Sequence, residues 1–333
     1  MPTVDSLIVK VLTDSSYDTP RTETNKWVKV RRAPIISPVD YRKTLHNEWG
    51  LSLALESRRG LDLRNIMLDF GYTPAALMNN MEIMRVDGGK VQAMIVSHGH
   101  FDHFGGVVGF VKKYRAQLPA DLTLYVGGED NFCTRKLQSG TPGHFTDWGT
   151  LDRRELEALQ VKIVMCEQPT VVAGHAFTTG TIQRRTFEKV MPGGPVEYFK
   201  VNGSGCDIPA ANAKAAGKPA FDEHLNEHGT CFNIADRGLV VISSCGHAGI
   251  LNTVRQAMEV SGINKVHAVM GGFHLFPADA EYLKRVVAEL KALNPDVIVP
   301  MHCSGPGFVT AVRDQMPDRV ISSTTGTEFH FGV

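Results

Sequence analysis

The sequence predicts a mixed α/β fold, one sheet sandwich flanked by helices with an insertion in the middle of the chain. Three observations predict it. Short apolar strand candidates separated by turn signals fill the first third, strand and helix alternate over roughly the last hundred residues, and the stretch between is rich in Gly, Pro, Thr and Asp. No low-complexity tract and no repeat at a period of about 20–50 residues points to a solenoid or a fibre.

Taken in order, apolar runs predict strands over 7–12, 51–55, 66–68 and 91–96. A helix over 74–84 places Met78, Met81 and Met84 at helical spacing, as core residues and not a cofactor box. A second helix is expected over 104–118 and a strand over 122–126. Residues 128–227 contain Ser139-Gly140-Thr141-Pro142-Gly143, Pro192-Gly193-Gly194-Pro195 and Gly203-Ser204-Gly205, and read as long loops of the kind that build binding sites. The Ala-rich stretch 210–220 reads as a surface loop or short helix. Strands over 239–243, 266–270, 297–299 and 329–331 then alternate with helices over 248–260, 278–293 and 307–316. The whole, 1–333, is expected to be a single domain carrying a loop-rich insertion at about 128–227.

The 333 residues hold 35 Lys+Arg against 35 Asp+Glu, so the formal charge is zero, and basic residues cluster only in pairs such as Lys112-Lys113 and Arg184-Arg185. That balance argues against a nucleic-acid partner. No run approaches the roughly 18 apolar residues of a membrane helix, and Met1-Pro2-Thr3-Val4-Asp5 lacks a secretory n-region, so no membrane and a cytoplasmic location are expected. The six cysteines, without a CxxC pair, predict reduced thiols and no disulfide framework. A homo-oligomer is compatible with this composition.

The chemistry is concentrated in Ser97-His98-Gly99-His100-Phe101-Asp102-His103-Phe104-Gly105-Gly106, between an apolar strand and a helix. Three histidines and an aspartate within six residues offer four ligands from one loop. Imidazole and carboxylate donors favour Zn, Fe or Mn over Ca or Mg. The glycines at 99, 105 and 106 are expected to permit tight turns and close approach of a substrate. No GxSxG elbow or P-loop supports a serine hydrolase or an NTPase.

This His98-x-His100-x-Asp102-His103 motif resembles the signature of the metallo-β-lactamase superfamily, whose members share an αββα sandwich. Met67-Leu68-Asp69-Phe70-Gly71 is similar to the strand that precedes the motif in that family, which implies that Asp69 supports the site from behind. Gly238 to Ile250, Gly271-Gly272-Phe273-His274-Leu275 and Pro300-Met301-His302-Cys303-Ser304-Gly305 resemble the branch of the dihydropterin-ribofuranosylaminobenzene 5′-phosphate synthases and their bacterial relatives.

The resemblance implies two divalent metal ions, zinc first with iron or manganese as alternatives, held by His98, His100, Asp102, His103, His247 and His302, and spacing adds His228, which the branch itself does not supply and which otherwise reads as a surface-loop histidine beside Glu227. His302 follows an apolar run and matches the last ligand of the family, His247 takes a late or bridging position, with Cys245 as the competing donor, and His228 lies 19 residues before His247. Asp102 doubles as a group that orients water, and His274 is the candidate acid for the leaving group. His46, His144, His175, His224, His267 and His330 have no ligand-like context. The expected activity is metal-dependent hydrolysis of a small-molecule ester, phosphoester or lactone, an anionic substrate being admissible. Two alternatives stand beside it, a transferase that displaces pyrophosphate from a dihydropterin diphosphate, and a mononuclear or dinuclear iron redox enzyme. Lys112, Lys113, Arg184 and Arg185 are either phosphate contacts or, the favoured reading, solvated faces.

Overall fold

The computed structural model describes residues 1–16, 18 and 23–332. Among these residues two large sheets face each other. The first runs in the order Lys162–Met165, Thr123–Val126, Ala93–Val96, Asp62–Leu68, Ser52–Arg59, Ser6–Thr13, Thr327–Phe331, Lys29–Arg32. The second runs Val171–Val172, Ala176–Thr178, Thr230–Ile234, Gly238–Ser243, Val266–Gly272, Val297–Met301, with Thr3–Val4 added beside Thr230–Ile234.

Period-two alternation in the strands builds the layers. Ile66, Leu68 and Ile95 of the first sheet meet Val240, Ile242, Met270 and Val299 of the second in a central core. Their neighbours in sequence point the other way: Met67 and Met94 pack with Leu77, Met81 and Phe110 of the helices Pro74–Ile83 and Val107–Tyr114. Val241, Val269 and Ile298 pack with Val254, Val286 and Phe308 of the helices Ile250–Ser261, Ala280–Leu293 and Pro306–Gln315. The result is the helix–sheet–sheet–helix sandwich that the sequence predicts.

Two differences from expectation have physical causes. The helix expected over 104–118 is split into Phe101–Phe104 and Val107–Tyr114. A Cβ on Gly105 would lie 2.1 Å from the Tyr72 carbonyl oxygen and one on Gly106 2.3 Å from that of Phe70, so these glycines make room for the neighbouring chain and not for a substrate. The middle of the chain is also not one loop-rich insertion. Lys162–Met165 extends the first sheet, and Val171–Val172 and Ala176–Thr178 extend the second. What remains builds a small sheet ordered Ala220–Phe221, Pro195–Glu197, Thr134–Gln138, Phe145–Asp147, with the Ala-rich stretch forming the helix Pro209–Ala215.

This added layer is fastened twice. Cys133 and Cys206 form a disulfide across 73 residues, which corrects the expectation of reduced thiols throughout. Cys166, Cys231, Cys245 and Cys303 are free and buried. No sequence pattern marks the pair, because the fold alone brings Thr134–Gln138 and the 206 loop together. Arg135, 1% exposed, is the second fastener: Nη2 donates to Asp130 Oδ2 at 2.8 Å and Nε to Asp222 Oδ2 at 2.7 Å.

Two outcomes follow. Cys206→Ser should lower stability by about 2–4 kcal/mol and abolish any shift of the urea midpoint on adding reductant; a wild-type midpoint indifferent to reductant would count against the bond. Arg135→Met leaves two buried carboxylates uncompensated and should cost about 3–5 kcal/mol in the same denaturation experiment.

Candidate metal centre

The parallel strands of both sheets end at the same edge of the sandwich. Asp69 follows Asp62–Leu68, the histidine loop follows Ala93–Val96, Cys245 and His247 follow Gly238–Ser243, His274 follows Val266–Gly272, and His302 with Cys303 follows Val297–Met301. Loops at the carboxyl ends of parallel strands are where such sheets place their ligands. Asp69, His224, His274 and His302 all hold left-handed backbone, with φ of 57°, 47°, 46° and 47°. That conformation costs a side chain about 1–2 kcal/mol each and persists where surrounding structure imposes it.

Asp69 organises the loop. Its carboxylate accepts from Ser97 N at 2.8 Å, from Ser97 Oγ at 2.8 Å and from His103 Nδ1 at 2.7 Å. Because His103 donates through Nδ1, its Nε2 lone pair is free. Ser97 Oγ, having donated to Asp69, receives His98 Nδ1 at 3.0 Å, which frees His98 Nε2, a buried atom without a partner.

One group of donors surrounds a single point: His103 Nε2 and His302 Nε2 are 3.3 Å apart, and Asp102 Oδ2 lies 3.3 Å from His302 Nε2 and 3.8 Å from His103 Nε2. Ser15 Oγ sits 2.7 Å from His302 Nδ1, and His302 N donates to Asp14 Oδ1 at 2.8 Å. A second group consists of His98, His100, His224 and His247. The His98 and His100 rings lie 4.9 and 4.8 Å from that of His247, and His224 stacks on His247 at 3.6 Å with an interplanar angle of 5°. Cys245 belongs to both, its sulfur lying within 4.8 Å of donors from His98 and His247 and of donors from His103 and His302. The choice between Cys245 and His247 is therefore not exclusive: the structure brings both to the cluster.

His228 is not brought there. Its backbone N donates to the Ser97 carbonyl at 3.2 Å and its Nε2 lies 3.0 Å from the Val96 carbonyl, so the ring braces the end of the strand Ala93–Val96. His224 stands in the cluster instead, and sequence reasoning passed it over because it lies in an irregular stretch with no apolar strand before it. The one signal is Asp222, two residues earlier, which faces His100 Nε2 at 3.5 Å and binds the His224 backbone N at 3.0 Å. Gly99 has its own reason: a Cβ there would fall 2.2 Å from Arg135 Nη1, the guanidinium that holds Asp222. Glu227 was equally unmarked; its carboxylate accepts from the backbone N of Gly246, His247 and Ala248 at 2.8, 3.0 and 2.5 Å and so shapes the turn carrying Cys245 and His247.

The remaining histidines with buried rings lie elsewhere, His175 tied to Ser57 and Asp62, His267 to Asp296, and His330 facing Glu328 at 3.4 Å. His46 and His144 are exposed. The basic pairs do not enter the site: Lys112 and Lys113 are exposed, and Arg184 and Arg185 pair with Glu223 and Glu259.

The donors fit a bound cation. Burial, then the charges of neighbouring rings, pushes His98 and His247 well below the usual imidazole range, and burial does the same to His224, so these rings are neutral and their lone pairs are open to a cation. Against burial, which raises it, the charges of His103 and His302 and the bond from His302 hold Asp102 down to about 2. His302 is raised to about 9, where burial is outweighed by Cys303, Asp102 and Asp14. His98 Nε2, Asp102 Oδ1, His224 Nδ1 and both nitrogens of His247 are buried and make no hydrogen bond. Buried polar atoms left so are costly unless something absent from the polypeptide satisfies them.

Residues 62–183 match the Metallo-beta-lactamase superfamily. The chain is 28% identical over 271 residues to the 7,8-dihydropterin-6-methyl-4-(beta-D-ribofuranosyl)-aminobenzene-5′-phosphate synthase of Methanocaldococcus jannaschii, covering 80% of this chain and 84% of that one. An uncharacterized protein of the same archaeon is 25% identical over 269 residues, covering 79% of this chain and 86% of that one. The crystal structure of a metal-dependent hydrolase of the beta-lactamase superfamily superposes with a TM-score of 0.67 at 19% identity, covering 97% of this chain and 98% of that one. Residues 62–183 thus match a metallo-β-lactamase domain, and the chain has the metallo-β-lactamase fold.

Proposed function

We propose that the protein is a metal-dependent hydrolase of a small-molecule ester, phosphoester or lactone. The observation that carries this reading is the set of neutral, unpartnered imidazole nitrogens and the ionised Asp102 turned toward one another at the carboxyl ends of two sheets. Divalent ions held in such a set, zinc first and iron or manganese as alternatives, lower the pKa of water and polarise a carbonyl or phosphoryl oxygen. His98, His100, His224 and His247 would hold one ion and Asp102, His103 and His302 a second, with Cys245 between them.

The chain's own groups supply the rest. Asp102 leaves one carboxylate oxygen, Oδ1, without a hydrogen bond, free to orient a water proton. His274 keeps Nδ1 3.6 Å from Cys245 Sγ while Nε2 has no partner, so Nε2 is the position from which a leaving group would be protonated. At the rim, Trp49 and Phe276 are 50% and 54% exposed, with Trp49 4.9 Å from the His302 ring and Phe276 5.3 Å from that of His274. These apolar walls beside a cationic centre suit a small molecule with an apolar or planar portion, and an anionic group on it is compatible with the ions. Nucleic acid and membrane partners are not part of this reading, and the protein is placed in the cytoplasm as one continuous domain.

A second reading, transfer with displacement of pyrophosphate from a dihydropterin diphosphate, draws on the similarity to the archaeal synthase along most of the chain. The same centre serves both, because an ion that polarises a phosphoryl oxygen also stabilises a departing diphosphate.

Metal analysis of protein purified without chelator, followed by a panel of phosphodiesters, lactones, thioesters and dihydropterin diphosphates, tests the assignment. Turnover of a hydrolysable substrate that disappears in Asp102→Ala together with bound metal is the expected result; full metal content and full activity in that variant would overturn it. Asp69→Asn should weaken metal binding about 10–100-fold, measured by competition with a chromophoric chelator, because an amide cannot accept from Ser97 and His103 as the carboxylate does.

A further inference from the structure

Beyond the histidine and carboxylate donors, the same edge carries a set of softer ones, of which the proposed hydrolysis uses Cys245 and His274 Nε2 but neither Cys303 nor His274 Nδ1. Cys245 Sγ and Cys303 Sγ are 3.2 Å apart, and His274 Nδ1 is 3.6 Å from Cys245 Sγ. Both thiols are buried, 2% and 1% exposed, and neither is in a disulfide. Three chain segments converge to make the group: the turn after Gly238–Ser243, the turn after Val266–Gly272 and the short helical turn His302–Ser304. The convergence is tight, since a Cβ on Gly272 would fall 2.9 Å from Cys303 Sγ. Cys303 Sγ also lies 3.3 Å from the His274 backbone N, a donor that favours a thiolate, and His274 takes left-handed backbone at φ 46° to present its ring.

We propose that Cys245, His274 and Cys303 form a site for a thiophilic d10 cation on the flank of the histidine centre, with Cys245 shared between the two. Two sulfurs and one imidazole nitrogen are a donor set that selects zinc, cadmium or copper(I) over calcium, magnesium or manganese. The spacing suits it. Tetrahedral zinc, with bonds of about 2.3 Å to sulfur and about 2.0 Å to nitrogen, places a sulfur and a nitrogen about 3.5 Å apart and two sulfurs about 3.8 Å apart. The sulfur–nitrogen pair already has that separation, and the sulfur pair needs only to open slightly. Ligation through Nδ1 leaves His274 Nε2 facing the cluster, so the ion would also fix the ring that the hydrolytic reading uses as a proton donor. The His274 ring lies 4.1 Å from that of His247, which puts the two sites in contact.

The test uses the full chain, freed of metal and titrated with cadmium(II) anaerobically under a phosphine reductant, with bound cadmium and sulfur-to-cadmium absorbance in the near ultraviolet as the readouts. Wild type should bind one cadmium more than Cys303→Ser and lose about half of its charge-transfer absorbance in that variant, as two thiolates become one. His274→Asn, which tolerates the left-handed backbone, should weaken that position by at least about tenfold. Cys231→Ala, whose thiol lies in the outer core, should change nothing. Equal stoichiometry and equal absorbance in wild type and Cys303→Ser would overturn the proposal. Should Cys303→Ser not fold, cadmium-113 resonance on wild type decides: a signal deshielded as far as two sulfur ligands require supports the site, and signals of at most one sulfur ligand, as Cys245 alone would give, overturn it. In that second case the hydrolytic reading still stands, whereas a protein that binds no cadmium at all loses both.

Discussion

The site depends on one buried carboxylate. Asp69 follows the last residue of Asp62–Leu68, its N still bonded to the Ile95 carbonyl at 2.9 Å, and then turns into left-handed backbone. An unpaired carboxylate in that wholly buried place would be prohibitively costly. Three donors from the following loop satisfy it, and each has a consequence beyond the bond. The Ser97 backbone N fixes where the loop leaves the strand, Ser97 Oγ sets the tautomer of His98, and His103 Nδ1 commits His103 to present Nε2. One acceptor thus orients two rings whose lone pairs would otherwise be free to turn away from the centre.

Around that point burial works against the protonated forms of His98, His224 and His247, whereas His302, raised to about 9 beside Asp102, holds a proton that a bound cation would displace. At least four imidazoles lie within contact of one another, and burial together with mutual repulsion disfavours their protonated forms. Asp102 stays ionised among them. A formal charge of zero over the whole chain says nothing of this pocket, where one carboxylate sits among several buried imidazoles.

Legibility followed the range of the interactions. The sandwich was readable because alternation along each strand is local, and the loop 98–103 was readable because its donors are contiguous between a strand and a helix. Asp69 and His302 came from resemblance, each standing directly after an apolar run. What escaped depends on contacts between segments distant in sequence. His224 and Asp222 reach the cluster from the added layer, Glu227 shapes a turn that starts 19 residues later, and Cys133 meets Cys206 across the small sheet. His228 misled for the converse reason: its spacing fits a ligand, but its backbone N and ring Nε2 are tied to Ser97 and Val96, outside the cluster, with Nδ1 buried and unpartnered. The glycines misled likewise, since clearance for Arg135, Tyr72 and Phe70 and clearance for a substrate leave the same mark on a sequence.

The middle of the chain is not separable from the histidine cluster. Arg135 anchors Asp222, Asp222 faces His100 and fixes the backbone of His224, and His224 covers His247 with a parallel ring. The segment that borders the substrate space therefore also sets how exposed and how basic the donors are. Changes there that admit a different substrate would alter the ligand field at the same time. A shared fold therefore leaves hydrolysis and diphosphate displacement both open, because the fold does not fix the layer that holds His224 against the cluster.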